Sequence, residues 1–395
     1  MKKKLTRRFT FFQLMAFAAF ASMNYYNIYL KSIGFDSVKL GLLASISSII
    51  GMTTLPVWGV ISDKTRSTKL TWIISMIVFG VCYLSIPFFG KLQTLIPLYI
   101  VIIVYSIVKQ PTHSLQDAWS ISVLSTEGIR YPEVRKWGSF GFAVMSLIIS
   151  YIMIGALGLS IDYVFYSAFI FSVILCVSLY MFKEPAVNTS IAEKKTVRIN
   201  PLLLFKDYHF STAFIMVIAL SVYSSLTSTF YGFILEHAGL DPNSYGTYSG
   251  IGAFVQIICM YIVTRFCKGV PQSYILIAGG LFGVAENIMY SIADGKAMMI
   301  VACTLWGFDM AINVSVLPGY IHDLVPEEYS ATAQTLSGTA AMLFSIIGSS
   351  VGGYLIKEIG ISRYNLYTAI FQGTLTVLFL ITILIGKKIG KRNTI

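Results

Sequence analysis

The sequence predicts an all-α membrane protein with twelve transmembrane helices in two six-helix bundles. Its composition and the length of its apolar runs both point to this class. Of 395 residues, 56% are apolar and only 12% are charged, and the mean hydropathy is +0.73. A soluble domain carries about a quarter charged residues. Because so little polar surface could not cover a globule in water, a soluble enzyme is excluded.

Twelve apolar runs each approach the ~20 residues that a helix needs to cross the hydrocarbon core of a bilayer. One such run could be a buried helix of a soluble protein, but twelve in series indicate a membrane. The first six predicted spans are residues 10–30, 38–61, 70–90, 95–121, 133–158 and 161–182. The second six are residues 209–236, 245–267, 273–293, 297–321, 329–356 and 363–386.

The basic residues predict the orientation of these spans. With the amino terminus placed inside the cell, 22 of the 29 lysines and arginines fall on the inner side. Cytoplasmic loops carry an excess of these residues, so we expect a multi-pass protein of the cell membrane with both termini cytoplasmic. This distribution also accounts for the net charge of +11 without a nucleic-acid partner.

The longest polar stretch, residues 183–207, follows the sixth predicted span. It predicts a cytoplasmic linker between an amino-terminal bundle, residues 1–182, and a carboxy-terminal bundle, residues 208–395. Two packed halves suit alternating access around a site near the bilayer midplane. We expect the protein to work as a monomer.

A charged side chain within a membrane span has a high free-energy cost and therefore indicates a functional or structural role. In the fourth span, Gln110, His113 and Asp117 follow helical spacing and share one face. Pro111 in the same run is expected to free a backbone carbonyl group. Two plainer interpretations stay open: Asp117 lies in solvent at the cytoplasmic end, and Lys109 extends its side chain to an interface.

Glu286 and Asp309 are acidic residues of the ninth and tenth predicted spans. Two carboxylates at this depth can bind a cation, carry a proton, or pair with a base such as Lys109. No metal or cofactor site is predicted, because the four histidines are widely separated and the sequence has no GxGxxG after a strand, no GxxxxGK[ST] and no HExxH. A carrier without a phosphate-binding loop has no direct access to ATP energy and is passive or ion-coupled.

The loop after the second span reads Gly59-Val-Ile-Ser-Asp63-Lys64-Thr-Arg66. It resembles the motif loop of the major facilitator superfamily, whose aspartate meets a helix amino terminus and basic groups and closes the cytoplasmic side. The resemblance implies a cytoplasmic gate at Gly59, Asp63 and Lys64. The family's glycine after the basic residue is replaced here by Arg66.

A second match is more specific. The stretch Tyr131-Pro-Glu-Val-Arg135-Lys-Trp-Gly-Ser-Phe-Gly-Phe142 resembles the fifth-helix signature of the lactose-permease-like branch, the oligosaccharide:proton symporters. The resemblance implies that Asp117 and Arg135 grip a sugar, with Gln110 at the place of a sugar-binding amide and Phe142 at that of a stacking tryptophan. A carboxylate acceptor and a guanidinium donor suit the hydroxyl pairs of a sugar.

A third match begins at Pro326 and resembles the start of the family's eleventh helix. Counting back without gaps places Asp309 on the family's proton-carrying glutamate, Trp306 on its histidine and Glu286 on its helix-nine arginine. An acid therefore replaces a base beside the proton site, and lactose itself is not implied.

These observations favour a solute:proton symporter for a sugar or glycoside. Gln110, His113, Asp117, Arg135 and Phe142 would bind the substrate, and Asp309 with Glu286 would carry the proton, all facing an aqueous cleft between the bundles. The alternatives are a proton-driven exporter of drugs or metabolites, a nucleoside symporter, a channel or sensor, and, least supported, a membrane enzyme.

Overall fold

The computed structural model describes residues 2–92, 94–183, 201–267, 269–326 and 329–388. Within these ranges the regular secondary structure is helical, with no strand, so the all-α prediction is confirmed. Most of the predicted linker, residues 184–200, lies outside the described residues, as do Glu327 and Glu328 of the third motif.

The first half of the chain forms seven α-helices. They are α1 (Lys2–Phe20), α2 (Tyr25–Ser32), α3 (Ser37–Thr65), α4 (Thr68–Lys91), α5 (Leu95–Thr126), α6 (Tyr131–Leu147) and α7 (Asp162–Tyr180). A 3-10 turn, Ala21–Asn24, joins α1 to α2 within the first predicted span, and α6 continues into a π-helix, Ile148–Ala156.

The second half begins with a 3-10 segment, Pro201–Lys206, and a second one, Pro242–Ser244, precedes α9. The helices are α8 (Tyr208–His237), α9 (Tyr245–Phe266), α10 (Gln272–Ile292), α11 (Gly295–Asp323) and α12 (Ser330–Lys388). Gly360 breaks α12 with a left-handed φ of 79°, a conformation that glycine adopts without steric penalty. The break lies between the eleventh and twelfth predicted spans.

Nine helical stretches of the described chain are long and apolar enough to cross a membrane, so the membrane class is confirmed. One of them, Thr332–Gly386, has 55 residues and would measure about 80 Å as a straight helix, more than twice the ~30 Å hydrocarbon core. The exact number of twelve spans stays a prediction.

The described chain divides into two compact units. Unit 1 contains the described residues of Met1–Phe35, Ile46–Glu193 and Asn243–Gly250, and unit 2 those of Asp36–Ser45, Lys194–Pro242 and Ile251–Ile395. In unit 1, Trp119 stacks on Phe9 with ring centroids 4.8 Å apart and contacts Trp72 at 5.6 Å. In unit 2, buried residues of α8, α10, α11 and α12 form an apolar core around Leu276 and Phe379.

Small residues allow close packing within unit 2. The Ser37 hydroxyl donates to the Gly353 carbonyl oxygen at 2.9 Å, and the Ser45 hydroxyl donates to the Ile346 carbonyl oxygen at 2.7 Å. Between them, a Cβ atom on Gly41 would lie 2.3 Å from the carbonyl oxygen of Ser349. The start of α3 therefore packs on α12 at a distance that only glycine permits at position 41.

Pro111 lies inside α5 without ending the helix. Proline has no N–H, so the carbonyl of Ile107, four residues earlier, loses its helical donor. The indole N–H of Trp58 on α3 donates to this carbonyl oxygen at 3.0 Å, and the Thr54 hydroxyl lies 3.4 Å from it. The expected free carbonyl is thus present and is satisfied by the neighbouring helix.

Candidate functional site

The predicted substrate-binding face of α5 is present in unit 1. Gln110, His113 and Asp117 are all half-buried, and their spacing places them on one side of the helix. The Cβ atom of Gln110 lies 3.4 Å from the position that a Cβ on Gly51 of α3 would take. Since α5 continues to Thr126, Asp117 does not mark the end of its helix.

Asp117 lies beside the start of α6. The Tyr131 hydroxyl donates to Asp117 Oδ1, and Arg135 Nε is 4.0 Å from the same oxygen. That distance is too long for a hydrogen bond, so the ion pair leaves donors and acceptors free. The Asp117 and Arg135 side chains are 46% and 35% exposed, which makes both accessible to a ligand.

Aromatic rings of α1 complete this cluster. The Arg135 guanidinium carbon lies 4.2 Å from the centre of the Phe17 ring, and the His113 ring is 4.0 Å from the Phe20 ring. Stacking on an aromatic ring holds a guanidinium in place while its edge N–H groups stay available. The Asp117, Arg135 and His113 side chains thus share one site with two phenylalanines.

Gln13 of α1 also contributes to the site. Its amide oxygen accepts a hydrogen bond from Gln116 Nε2 at 2.8 Å, which joins α1 to α5 next to Asp117. Sequence reasoning missed Gln13, Phe17 and Phe20 because α1 reads as an ordinary apolar run. A glutamine within that run was the available signal, since an amide in lipid needs a partner.

Phe142 is half-buried on α6, seven residues after Arg135. This spacing places both residues on one face of the helix, two turns apart. Gly138 lies between them, where a Cβ would come within 2.7 Å of the Phe17 ring. The aromatic contact to Arg135 comes from Phe17, and a substrate-binding role for Phe142 stays a prediction.

Glu286 and Asp309 lie on α10 and α11 in unit 2. The two helices pack directly, with the Phe282 and Phe308 rings stacked at 5.0 Å. Both acidic side chains are 0% exposed, and Asp309 is close enough to interact electrostatically with Glu286. Neither side chain therefore touches solvent in this structure, and a role for these acids as the proton site stays a prediction.

The carboxylate oxygens of Glu286 and Asp309 have no hydrogen-bond partner in the described chain and no salt bridge. Tyr290, one turn beyond Glu286, interacts with it electrostatically but does not meet hydrogen-bond geometry. The described residues thus show no structural ion pair for either acid. Lys109 is exposed, with its ammonium nitrogen 5.9 Å from the Tyr105 ring centre.

A buried amide pair lies next to Glu286. Asn287 Nδ2 donates to the Gly283 carbonyl oxygen at 2.9 Å and to Gln372 Oε1 of α12 at 3.2 Å. Asn287 Oδ1 and Gln372 Nε2 have no partner among the described residues. Sequence reasoning missed Gln372, although a lone glutamine in the last apolar run was a usable signal.

The predicted gate residues Gly59, Asp63 and Lys64 lie at the end of α3 and are exposed. Arg66 follows with a φ of 50°. Among the described residues other than glycine, Arg66 alone has a positive φ. This left-handed conformation favours glycine, which explains physically why the related motif has glycine there. No group of three metal-ligating side chains occurs among the described residues.

Comparison with known proteins identifies the family of the chain. The model of the MFS_1 like family matches residues 6–367, most of the chain. Two relatives are the uncharacterized transporter YwbF of Bacillus subtilis, 22% identical over 84% of this chain and 79% of that protein, and the maltose permease of Geobacillus stearothermophilus, 22% identical over 94% and 93%.

A solved structure of the nucleoside transporter NupG, in a mutant form, has the same fold. It is 18% identical, covers 96% of this chain and 99% of that one, and gives a TM-score of 0.82. Since the family model covers the described helices of both units almost completely, the chain belongs to the MFS_1 like family of membrane transporters.

Proposed function

We propose that this protein is a proton-coupled symporter of a sugar or glycoside, of the lactose-permease-like branch, working by alternating access. It would cross the cell membrane twelve times as a monomer, with both termini cytoplasmic and a gate at Gly59, Asp63 and Lys64. The family of the chain supports the assignment as a transporter. The identity of the substrate and the coupling to protons are our proposal.

The Asp117–Arg135 pair is the observation that supports a sugar as the transported substrate. Its atoms are 4.0 Å apart and both side chains are accessible, so a pair of adjacent hydroxyl groups can insert, donating to the carboxylate and accepting from the guanidinium. The Gln110 amide lies two turns along the same face. A maltose permease among the relatives agrees with a polyhydroxylated cargo.

The coupling proposal rests on the enclosed acids. An ionised carboxylate buried without a partner is strongly unfavourable, and two adjacent ones repel each other. A bound proton on each acid removes both penalties. Asp309 is proposed as the proton carrier and Glu286 as its neighbour, reached by water only when the helices around them rearrange. Binding of proton and cargo would each favour the states that reorient.

A nucleoside is the second candidate cargo, favoured by the rings beside the ion pair. The half-buried His113 ring lies against Phe20 within the same cluster, and a nucleobase can stack on such a ring while its ribose offers a hydroxyl pair. The fold shared with NupG is compatible with this cargo.

A ligand screen tests the cargo. Purified protein is heated with maltose, other glycosides, nucleosides and cationic drugs, because a ligand of the native state raises the unfolding midpoint. We expect glycosides to stabilise the wild type and not Asp117→Asn or Arg135→Gln. Stabilisation by nucleosides alone selects the second candidate, and stabilisation by drugs alone supports an exporter and overturns the sugar proposal.

Transport in proteoliposomes with an imposed proton gradient tests the coupling. Asp309→Asn is expected to abolish uphill uptake while leaving counterflow. Asp294→Asn is the matched control, because Asp294 is exposed and its side chain does not cap α11. Full uphill uptake by Asp309→Asn would show that Asp309 is not the carrier, and flux without saturation or counterflow would indicate a channel.

A further inference from the structure

A basic cavity lies within unit 1, far along the chain from the acidic and polar residues of α5. Its volume is about 820 Å³, and it opens between the start of α1 and the end of α7. Four cations line it: Lys3, Lys4, Arg7 and Arg8. Met181 and Phe182, which follow α7, also line it, so the cavity combines positive charge with an apolar wall.

None of the four cations forms a salt bridge in the described part of the chain. All four are exposed, and the Arg8 guanidinium carbon lies 5.6 Å from the Phe182 ring centre. Lys4 and Arg8 are four residues apart on one helix, where like charges destabilise each other. The positive end of the α1 dipole adds to the same field. An anion in the cavity would relieve this repulsion.

The apolar wall continues along the outer face of α7. Val173, Ile174 and Val177 are exposed there, and Tyr180 and Met181 at its end are 83% and 75% exposed. In a membrane protein such a face contacts acyl chains. The basic cavity therefore lies where the apolar face of α7 ends, as a phosphate lies at the end of an acyl chain.

We propose that this cavity binds an anionic phospholipid, with its phosphate among the four cations and an acyl chain along α7. Cations that only orient a protein in the bilayer need to lie on the correct side of it. Such cations do not need to line a cavity that also contains an aromatic ring. Basic pockets between transmembrane helices are a known way to bind anionic lipid headgroups.

The test uses the full chain, purified and delipidated, and titrated with phosphatidylglycerol or phosphatidylcholine while bound lipid is counted by native mass spectrometry. The variant Lys4→Gln/Arg8→Gln removes two cations specific to this cavity. The control Lys2→Gln/Lys136→Gln removes equal charge. Lys2 lines a neighbouring cavity that shares Lys3 and Arg7 with this one but lacks Lys4 and Arg8, and Lys136 is an exposed residue of α6.

We expect the wild type to prefer phosphatidylglycerol, and the cavity variant to bind it roughly 25-fold more weakly, since each cation near a headgroup contributes about fivefold. The control should change by less than about threefold. Equal losses in both variants would mean diffuse surface attraction, and equal affinity for the two lipids would exclude the site. Full displacement of phosphatidylglycerol by inorganic phosphate at equal concentration would show that the cavity binds the free anion, and the acyl-chain part of the proposal would be wrong.

Discussion

The indole N–H of Trp58 donates to the carbonyl oxygen of Ile107 at 3.0 Å, where Pro111 has removed the helical donor. This bond joins α3 to α5 about one turn before Gln110 and two turns before His113. A carbonyl without a partner in an apolar surrounding is costly, so Trp58 supports the backbone that positions the candidate site.

Trp58→Phe is expected to lower the stability of the protein by about 1–3 kcal/mol, because the Ile107 carbonyl is left with only the longer contact to Thr54. The unfolding midpoint in detergent measures this. Trp72→Phe is the matched control, since the buried Trp72 indole N–H has no hydrogen-bond partner in the described chain. A larger loss for Trp72→Phe would mean that packing, and not the hydrogen bond, dominates.

Arg66→Gly is expected to raise stability by about 0.5–1 kcal/mol. Glycine removes the steric cost of the left-handed conformation at φ 50°, which exceeds the entropy that a glycine loses on folding. Lys64→Gly, in the last turn of α3, should instead lower stability by about 1 kcal/mol. Opposite shifts of the thermal midpoint would agree with this account, and a decrease for Arg66→Gly would contradict it.

Gly41→Ala is expected to cost about 1–3 kcal/mol, because its new methyl group would meet the Ser349 carbonyl oxygen at 2.3 Å and a backbone must move. Gly338→Ala in α12 is the control, since a Cβ there has nothing within 4 Å. It should be neutral or stabilise by up to about 1 kcal/mol through helix propensity. Equal midpoints for the two variants would refute the close packing of α3 on α12.

Tyr131→Phe is expected to raise the Michaelis constant of uptake about two- to tenfold with little change in maximal rate. The Tyr131 hydroxyl donates to Asp117 and holds this carboxylate beside Arg135, and a hydrogen bond of this kind contributes about that much. Tyr99→Phe is the control, because the Tyr99 hydroxyl has no hydrogen bond in the described chain and its ring contacts Phe35. An unchanged Michaelis constant would show that the Tyr131 hydroxyl does not contribute to substrate binding.

Much of the architecture could be predicted from local signals. Apolar runs of sufficient length predict helices wherever they occur, and the 3.6-residue period was enough to place Gln110, His113 and Asp117 on one face. Proline chemistry alone predicted the freed carbonyl of Ile107. These inferences needed no knowledge of which helices are neighbours.

Contacts distant in sequence could not be predicted in this way. The bond between Gln13 and Gln116 joins residues 103 positions apart, and neither apolar run indicates its partner. The enclosure of Glu286 and Asp309 depends on how α10, α11 and α12 pack, which hydropathy does not report. Hydropathy alone therefore could not indicate that both acids are buried.

The burial of Glu286 and Asp309 also bears on proton leak, the loss of a proton gradient without transport of cargo. Neither acid touches solvent, so a proton held there cannot escape to bulk water until the surrounding helices move. If these acids carry the coupling proton, liposomes containing the protein should hold a pH difference almost as long as empty ones when no cargo is present. The pH difference would then decay in proportion to the number of cargo molecules transported. The packing around the two acids would thus be the barrier against proton leak.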